Sequence, residues 1–322
     1  MSSQLSSSQF LSFKPRKRQR PSFHRGEDIP SFQITHRDQQ IILRVAYYHL
    51  LSTHHIEALL FHTPNTSRTL KSQCQRRLQL LYHHRFLNRI QQPVVLGEGR
   101  KPFIYTLDQQ GVRAVAQLLD ISTSEVGWNP KLKYRNPYRL PHDLHISNTW
   151  VILDRLTQSR HLQMPYWLTQ RHLKSAQIKD KLPSISLNGG RKIKEPDGYF
   201  ALQFPQASDL AHFFYEEDRG TQSQRQWTEK IQAYIGYKKT GDSFAYFGFN
   251  NFRVLTKTTT PKRLANLKAW TEKAGGNEMF WFTNVGQIDI WQPQTLLQPI
   301  WQVSSATGAY SLTLTDTITM QS

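Results

Sequence analysis

Residues 67–84 read SRTLKSQCQRRLQLLYHH, and within them Leu70, Cys74, Leu78 and Leu81 recur at steps of four, four and three. That spacing stacks the four side chains on one face of an α-helix running from about Ser67 to His84. The opposite face carries Ser67, Arg68, Lys71, Ser72, Gln75 and Arg76. A helix with one apolar side and one side of cations and amides is built to pack inward and lie against a polyanion. Cys74 falls on the apolar side and reads as core. It is the only cysteine, so the chain has no intrachain disulfide and no cysteine-based zinc site.

Upstream, Thr35 stands three residues before Asp38 and just ahead of Ile41, Ile42, Val45 and Ala46, which predicts an N-capped amphipathic helix. Ser52 caps a second, short helix with Ile56, Leu59 and Leu60, and Thr63-Pro64-Asn65 breaks the chain before the third. Downstream, Val94 to Leu96 and Phe103 to Leu107 read as strands joined by the basic turn Gly97-Glu98-Gly99-Arg100-Lys101-Pro102. Three helices followed by a basic hairpin is the order of a winged helix, here residues 29–121, with another helix from about Gln109 to Leu119. Arg68, Lys71, Ser72, Gln75 and Arg76 would then contact duplex DNA, with Arg100 and Lys101 reaching the backbone from the hairpin tip. The plainer alternative is a solvated basic face used for protein contacts.

Composition favours the first reading. Lys and Arg number 41 against 23 Asp and Glu, a net charge of +18 that holds polyanions by counterion release. Residues 67–101 carry eight basic residues against Glu98 alone. Residues 1–28 combine Lys14, Arg16, Lys17, Arg18, Arg20 and Arg25 with few apolar groups and are expected to form a flexible basic arm. No apolar run of membrane-spanning length and no secretory leader are evident, so a cytoplasmic protein without membrane contact is expected. The pairs His54-His55 and His83-His84 lack further ligands at zinc spacing and read as solvent-exposed helix histidines.

Residues 122–141, with Lys131, Lys133, Arg135 and Arg139 among three prolines, read as a basic linker. From His142 to about 303 the pattern becomes α/β: a helix with Val151, Leu153 and Leu156, strands at 199–203, 213–218, 244–249, 252–256 and 279–283, and helices near 223–237 and 261–274. Residues 304–322 form a Ser/Thr-rich tail to which no function attaches.

The chemistry sits in Pro196-Asp197-Gly198 and in Phe213-Phe214-Tyr215-Glu216-Glu217-Asp218. Strand alternation sends Glu216 and Asp218 to one face, with Phe213, Tyr215 and Glu217 on the other. Pairing of the two segments would bring Asp197 beside Glu216 and Asp218, a carboxylate cluster suited to Mg²⁺ or Mn²⁺. Lys230, on the next helix with Tyr234 four residues on, could aim its ammonium at the same centre. A metal with a nearby lysine is the equipment of phosphodiester hydrolysis. The competing account pairs the carboxylates with Arg219, Arg225 or Lys230 in salt bridges. His142 and His145, flanking Asp143, could approach this centre or simply form a polar helix N-terminus.

These segments resemble the PD-(D/E)XK nuclease superfamily, with Asp218 where that superfamily usually has lysine. The resemblance implies Asp197, Glu216, Asp218 and Lys230 as catalytic residues, the first three also as metal ligands, although some members have lost catalysis. Over roughly residues 33–300 the chain also resembles the replication-relaxation family of bacterial plasmids and mobile elements. The likeness rests on Thr35-His36-Arg37-Asp38, Pro196-Asp197-Gly198, Glu216 to Thr221 and Lys230-Ile231-Gln232-Ala233-Tyr234. It implies an α/β, multidomain protein, a winged helix-turn-helix followed by a restriction-endonuclease-like domain. Its expected partners are double-stranded DNA, replication or mobile-element proteins and a second copy of itself, and its expected activity is DNA cleavage or binding without catalysis.

Overall fold

The computed structural model describes residues 24–25, 29, 31–62, 68–93, 97, 99, 101–170, 186–187, 191–192, 196–205, 207–240, 249 and 251–313. The first helix, α1 (His36–Tyr48), begins as its sequence dictates. Thr35 accepts from the Asp38 N–H, and Asp38 answers the Thr35 N–H at 2.7 Å, a complete capping box. A two-residue strand β1 (Leu51–Ser52) leads into α2 (Thr53–Leu60), capped by Ser52, and α3 (Arg68–His83) follows. Cys74, Leu78 and Leu81 of α3 are buried, and burial pushes the Cys74 thiol up to about 12. Each buried leucine of that stripe is worth about 1.5–3 kcal/mol.

Strands β2 (Leu87–Ile90) and β3 (Ile104–Leu107) complete an antiparallel three-stranded sheet in the order β1-β3-β2, and α4 (Gln109–Leu119) closes the unit. This order of elements is a winged helix-turn-helix. The first described wing strand lies nearer α3 than the sequence suggested: Asn88 and Arg89 interrupt its apolar residues, so Leu87 and Ile90 left no strand pattern. Val94 to Leu96, where that strand was expected, lie outside the described residues. Arg25 belongs to the structured part. Its guanidinium donates to the Tyr82 and Leu87 carbonyls at 2.8 and 3.0 Å and pairs with Asp108 at 2.6 Å.

Between α4 and the next helix the described chain holds one short 3-10 turn, Pro130–Tyr134. Helix α5 (Leu140–Gln158) then starts the second layer, followed by β4 (Gln163–Thr169), the small pair β5 (Ser186–Leu187) and β6 (Arg191–Lys192), β7 (Gly198–Gln203) and β8 (Ala211–Glu217). Helix α6 (Gln224–Thr240), β9 (Arg253–Thr258), α7 (Pro261–Lys273), β10 (Phe280–Asn284) and β11 (Gln302–Val303) complete it. The large sheet runs β11-β10-β9-β8-β7-β4. Strands β4, β7 and β8 form an antiparallel meander, while β8, β9 and β10 are parallel and connected through α6 and α7. Helix, meander, helix, parallel strand is the order of a mixed α/β layer, the class that the sequence pattern predicted. Strand β4 escaped the sequence reading because Gln163–Thr169 alternates weakly and contains Pro165. Of the expected strand at 244–249, residues 244–248 lie outside the described residues.

Alternation assigns the two faces of this sheet. Tyr199, Phe214, Val254, Phe280 and Phe282 pack with Trp227, Ile231 and Tyr234 of α6 and Leu264 and Leu267 of α7. Phe200, Phe213, Tyr215, Leu255 and Trp281 face the other way, towards α5. There the rings of Trp150, Trp167, Phe200 and Phe213 stack in succession with centroids 4.9–5.3 Å apart. The same core continues into α1, α2 and α3, and Asp154 of α5 accepts from Arg44 at 2.5 Å and Tyr48 at 2.8 Å. Helix α5 thus joins the winged helix to the sheet through packing as well as through the chain.

Candidate functional site

Asp197 immediately precedes β7, and its N–H donates to the Tyr215 carbonyl of β8 at 3.0 Å. Glycine follows because β7 starts flat against an indole: a Cβ on Gly198 would stand 3.0 Å from Trp167 Cζ2. The Asp197 Oδ2 accepts from the Glu217 N–H at 3.0 Å and lies 3.3 Å from His142 Nε2 at the start of α5. Burial would raise the Asp197 carboxyl. The His142 hydrogen bond and charge, the charge of Lys230 and the Glu217 N–H together hold it below its ordinary value.

Glu216 and Asp218 face the α6 and α7 side, as alternation predicts, but they find different partners. Glu216 accepts from Lys230 Nζ at 2.5 Å and from the Tyr234 hydroxyl at 2.7 Å. Burial alone would lower the Lys230 ammonium; Glu216, Asp197 and Asp218 hold it above its usual value, so it stays charged. Asp218 leaves the strand towards the N-terminus of α7. Both its oxygens accept from the Arg263 guanidinium at 2.9 Å, and Oδ2 also takes the Thr258 hydroxyl at 2.7 Å and the Gly220 N–H at 3.1 Å. The turn that delivers this N–H needs glycine, since Gly220 sits at φ +78°.

The opposite face of β8 carries a second charged group. Glu217 accepts from the Tyr215 hydroxyl at 2.5 Å, lies 3.0 Å from His145 Nδ1 and pairs with Lys257 at 3.1 Å. Lys257 also donates to the His145 carbonyl and the Thr149 hydroxyl, at 2.9 and 2.7 Å. Lys257, Leu144, His145, Asn148 and His55 line a half-open cavity of about 260 Å³ between the winged helix and the layer. His55 was expected in solvent. It is buried here, its Nδ1 accepts from the Ser52 N–H at 3.3 Å to complete the α2 cap, and burial pulls its pKa down to about 3. His83 is buried as well, contrary to the same expectation, because the end of α3 packs against the wing.

His142 and His145 therefore each meet a carboxylate, Asp197 and Glu217 respectively, rather than forming only a polar helix end. The residues that sequence reasoning missed are Arg263, Thr258, Lys257 and Tyr215. Lys257 alone left a signal, as the lysine inside the otherwise uncharged run Val254 to Thr258. Of the salt-bridge partners considered, Lys230 takes Glu216, whereas Arg225 pairs with Glu229 at 3.0 Å on α6 itself.

A divalent cation needs carboxylate oxygens free to face it. Asp218 has both oxygens committed to Arg263, and Glu216 has both committed to Lys230 and Tyr234. In this arrangement Glu216 and Asp218 meet cations of the chain itself, while Asp197 Oδ2 meets the Glu217 N–H and His142. Among the described residues no group of three or more His, Cys, Asp or Glu side chains converges as metal ligands.

The sequence-predicted DNA face is arranged differently. Arg68, Lys71, Ser72, Gln75 and Arg76 are all exposed along α3, opposite the buried stripe. Lys101 is half-buried, and Arg100 lies outside the described residues. Arg77, at the border of the two faces, is drawn inward by Asp38, to which its Nε donates at 2.8 Å.

The helix-turn-helix unit with its three-stranded sheet and the six-stranded α/β layer share one core through α5. Residues 43–251 match the replication-relaxation family, and the chain belongs to it. A solved structure, that of the restriction endonuclease FokI, is similar at 10% identity and a TM-score of 0.30, covering 80% of this chain and 43% of that one. The chain thus spans less than half the length of that protein. No curated protein matches the sequence. No described helix is long and apolar enough to cross a membrane.

Proposed function

We propose that this protein is a DNA-binding factor of plasmid or mobile-element replication, docking on duplex DNA through α3 and the wing. One observation carries the reading: the outward face of α3 gathers Arg68, Lys71 and Arg76 with Ser72 and Gln75 between them, all exposed, on the helix that a winged helix inserts into the major groove. The cations meet phosphates, and the amide and hydroxyl are within reach of base edges. In this reading the α/β layer is a platform whose carboxylates are balanced by Lys230, Arg263, His142 and Lys257, and replication proteins or a second copy of the chain are its further partners.

The test is duplex affinity measured across a salt series. Neutralising three phosphate contacts with Arg68→Ala, Lys71→Ala and Arg76→Ala should flatten the slope of log K against log salt by about 2.7. An unchanged slope refutes the assignment of α3, and salt-independent weak binding by the unaltered protein favours a protein-contacting winged helix.

Metal-dependent cleavage at Asp197, Glu216, Asp218 and Lys230 is the second reading. It is favoured by the mutual proximity of Asp197, Glu216 and Lys230, whose charges act on one another. It requires Arg263 and Lys230 to release the carboxylates. Supercoiled plasmid incubated with Mg²⁺, Mn²⁺ or EDTA separates the two readings. Nicking that needs metal and is lost in Asp197→Ala plus Glu216→Ala establishes a nuclease; intact plasmid with salt-sensitive binding retained leaves the binding factor.

A further inference from the structure

The segment between the winged helix and α5 displays aromatic rings in a way that neither the fold nor α3 requires. Tyr138 is 91% exposed and Tyr134 is 76% exposed, the two most exposed large hydrophobic side chains among the described residues. They alternate with Lys131, Lys133 and Arg139, all exposed, and no acidic residue occurs between Glu125 and Asp143. Lys133 Nζ lies 4.9 Å from the centre of the Tyr134 ring.

This display is held in place. Asn129 accepts from the Lys131 N–H at 3.0 Å and Asn136 from the Tyr138 N–H at 2.9 Å, fixing the two turns that carry the rings. Leu132 packs inward with Ile90, Ile104 and Leu140, which seats the 3-10 turn on the wing strands. Arg135 is spent on anchoring, with its Nε and Nη2 on the Asp143 carboxylate at 2.6 and 2.9 Å. Asp143 neighbours His142, so the anchor stands beside the contact from α5 to Asp197.

Exposing two tyrosine rings to water on a fixed backbone loses apolar burial without gaining helix or sheet. Its chemical use is to offer flat faces between cations. Such a surface suits unpaired nucleotides, whose bases stack on the rings while their phosphates meet the cations. Duplex DNA suits it poorly, because its base faces are already covered by their neighbours. The geometry points to a second nucleic-acid site, Lys131 to Arg139, that takes single-stranded DNA beside the duplex held by α3. This rests on the DNA-binding reading above in naming DNA as the polymer, but it uses none of the α3 residues.

Fluorescence anisotropy of the full chain with labelled oligo-dT and with a blunt duplex tests it. Tyr134→Ala with Tyr138→Ala should weaken oligo-dT binding by about tenfold or more for each ring lost, from the strength of base–aromatic stacking. Duplex binding should stay within about twofold, and Tyr134→Phe with Tyr138→Phe should restore oligo-dT binding, since stacking needs the ring and not the hydroxyl. The triple α3 variant should give the converse pattern. If that variant leaves duplex affinity intact while the alanine pair abolishes oligo-dT binding, the α3 reading fails and this site stands. Oligo-dT affinity that the alanine pair leaves unchanged, or an unaltered protein that does not bind oligo-dT, overturns the proposal. Both tyrosines are exposed, so the variants should melt with the unaltered protein.

Discussion

Replacing Arg263 with alanine separates a structural clamp from a metal ligand at Asp218. Asp218 is 1% exposed, and among the described residues Arg263 supplies the one compensating positive charge at hydrogen-bond distance, through two bonds of 2.9 Å. Thr258 and Gly220 remain as neutral donors in the variant. Removing one partner of a buried pair costs about 3–5 kcal/mol, and the two surviving donors put this case near the lower figure. For a unit of this size, about 3 kcal/mol lowers the melting temperature by about 6–12 °C. Circular dichroism melts of the unaltered protein, Arg263→Ala and Arg263→Lys measure it, with the lysine variant intermediate because it keeps the charge but not the two-pronged geometry.

The same pair sets a pH dependence. Burial would raise the Asp218 carboxyl, but the hydrogen bonds and charge of Arg263, with Thr258 and Gly220, hold it below its ordinary value. Its contribution is therefore complete above the unfolded carboxyl value of about 3.9 and fades as pH falls through the lowered folded value. In Arg263→Ala the acid loss should begin at higher pH. Magnesium supplies the complementary arm. A cation bound by these carboxylates would stabilise the protein by about 2.7 kcal/mol at a hundredfold excess over its Kd, whereas a clamp gains nothing beyond the effect of ionic strength. An Arg263→Ala melt displaced by no more than a surface substitution, about 0.5 kcal/mol, together with a magnesium-dependent rise in the unaltered protein, would refute the clamp.

Further outcomes follow from other contacts. Burial lowers His142, but the neighbouring Asp143 carboxylate, Asp197 at 3.3 Å and the charge of Glu217 raise it to about 9. The stability it contributes should be whole below about 6.5 and disappear as pH rises through the folded value, a loss that His142→Asn should abolish and that an imidazole NMR titration can follow. Arg77→Ala strands the fully buried Asp38 with only its Thr35 cap and should cost about 3 kcal/mol in urea unfolding, while loosening α3 and weakening duplex binding. Gly198→Ala presses a methyl group on Trp167 and should destabilise by about 1–3 kcal/mol, with a change in tryptophan fluorescence; an unperturbed melt would mean that the indole yields freely.

Much of the winged helix was legible in the sequence, since its signals are local. The Thr35 and Ser52 caps, the Cys74, Leu78 and Leu81 stripe and the limits of α4 depend on residues three or four apart, and a helix brings those together whatever surrounds it. Alternation along β8 likewise fixed that Glu216 and Glu217 look to opposite faces. The charge on α3 needed no tertiary knowledge, because exposure of the polar side follows from burial of the apolar one.

The partners of the carboxylates were another matter. Arg263 is 45 residues from Asp218, and Lys257 reaches the His145 carbonyl across 112. Which cation meets which acid depends on the order of strands in the sheet and on which helix covers each face, and the sequence carries no local mark of either. His55 became buried for the same reason, once α2 packed on α5. Sequence determined that this protein has a basic helix-turn-helix and an acidic strand pair; only the tertiary structure decided that the acids would be answered by arginine, lysine and histidine from distant elements.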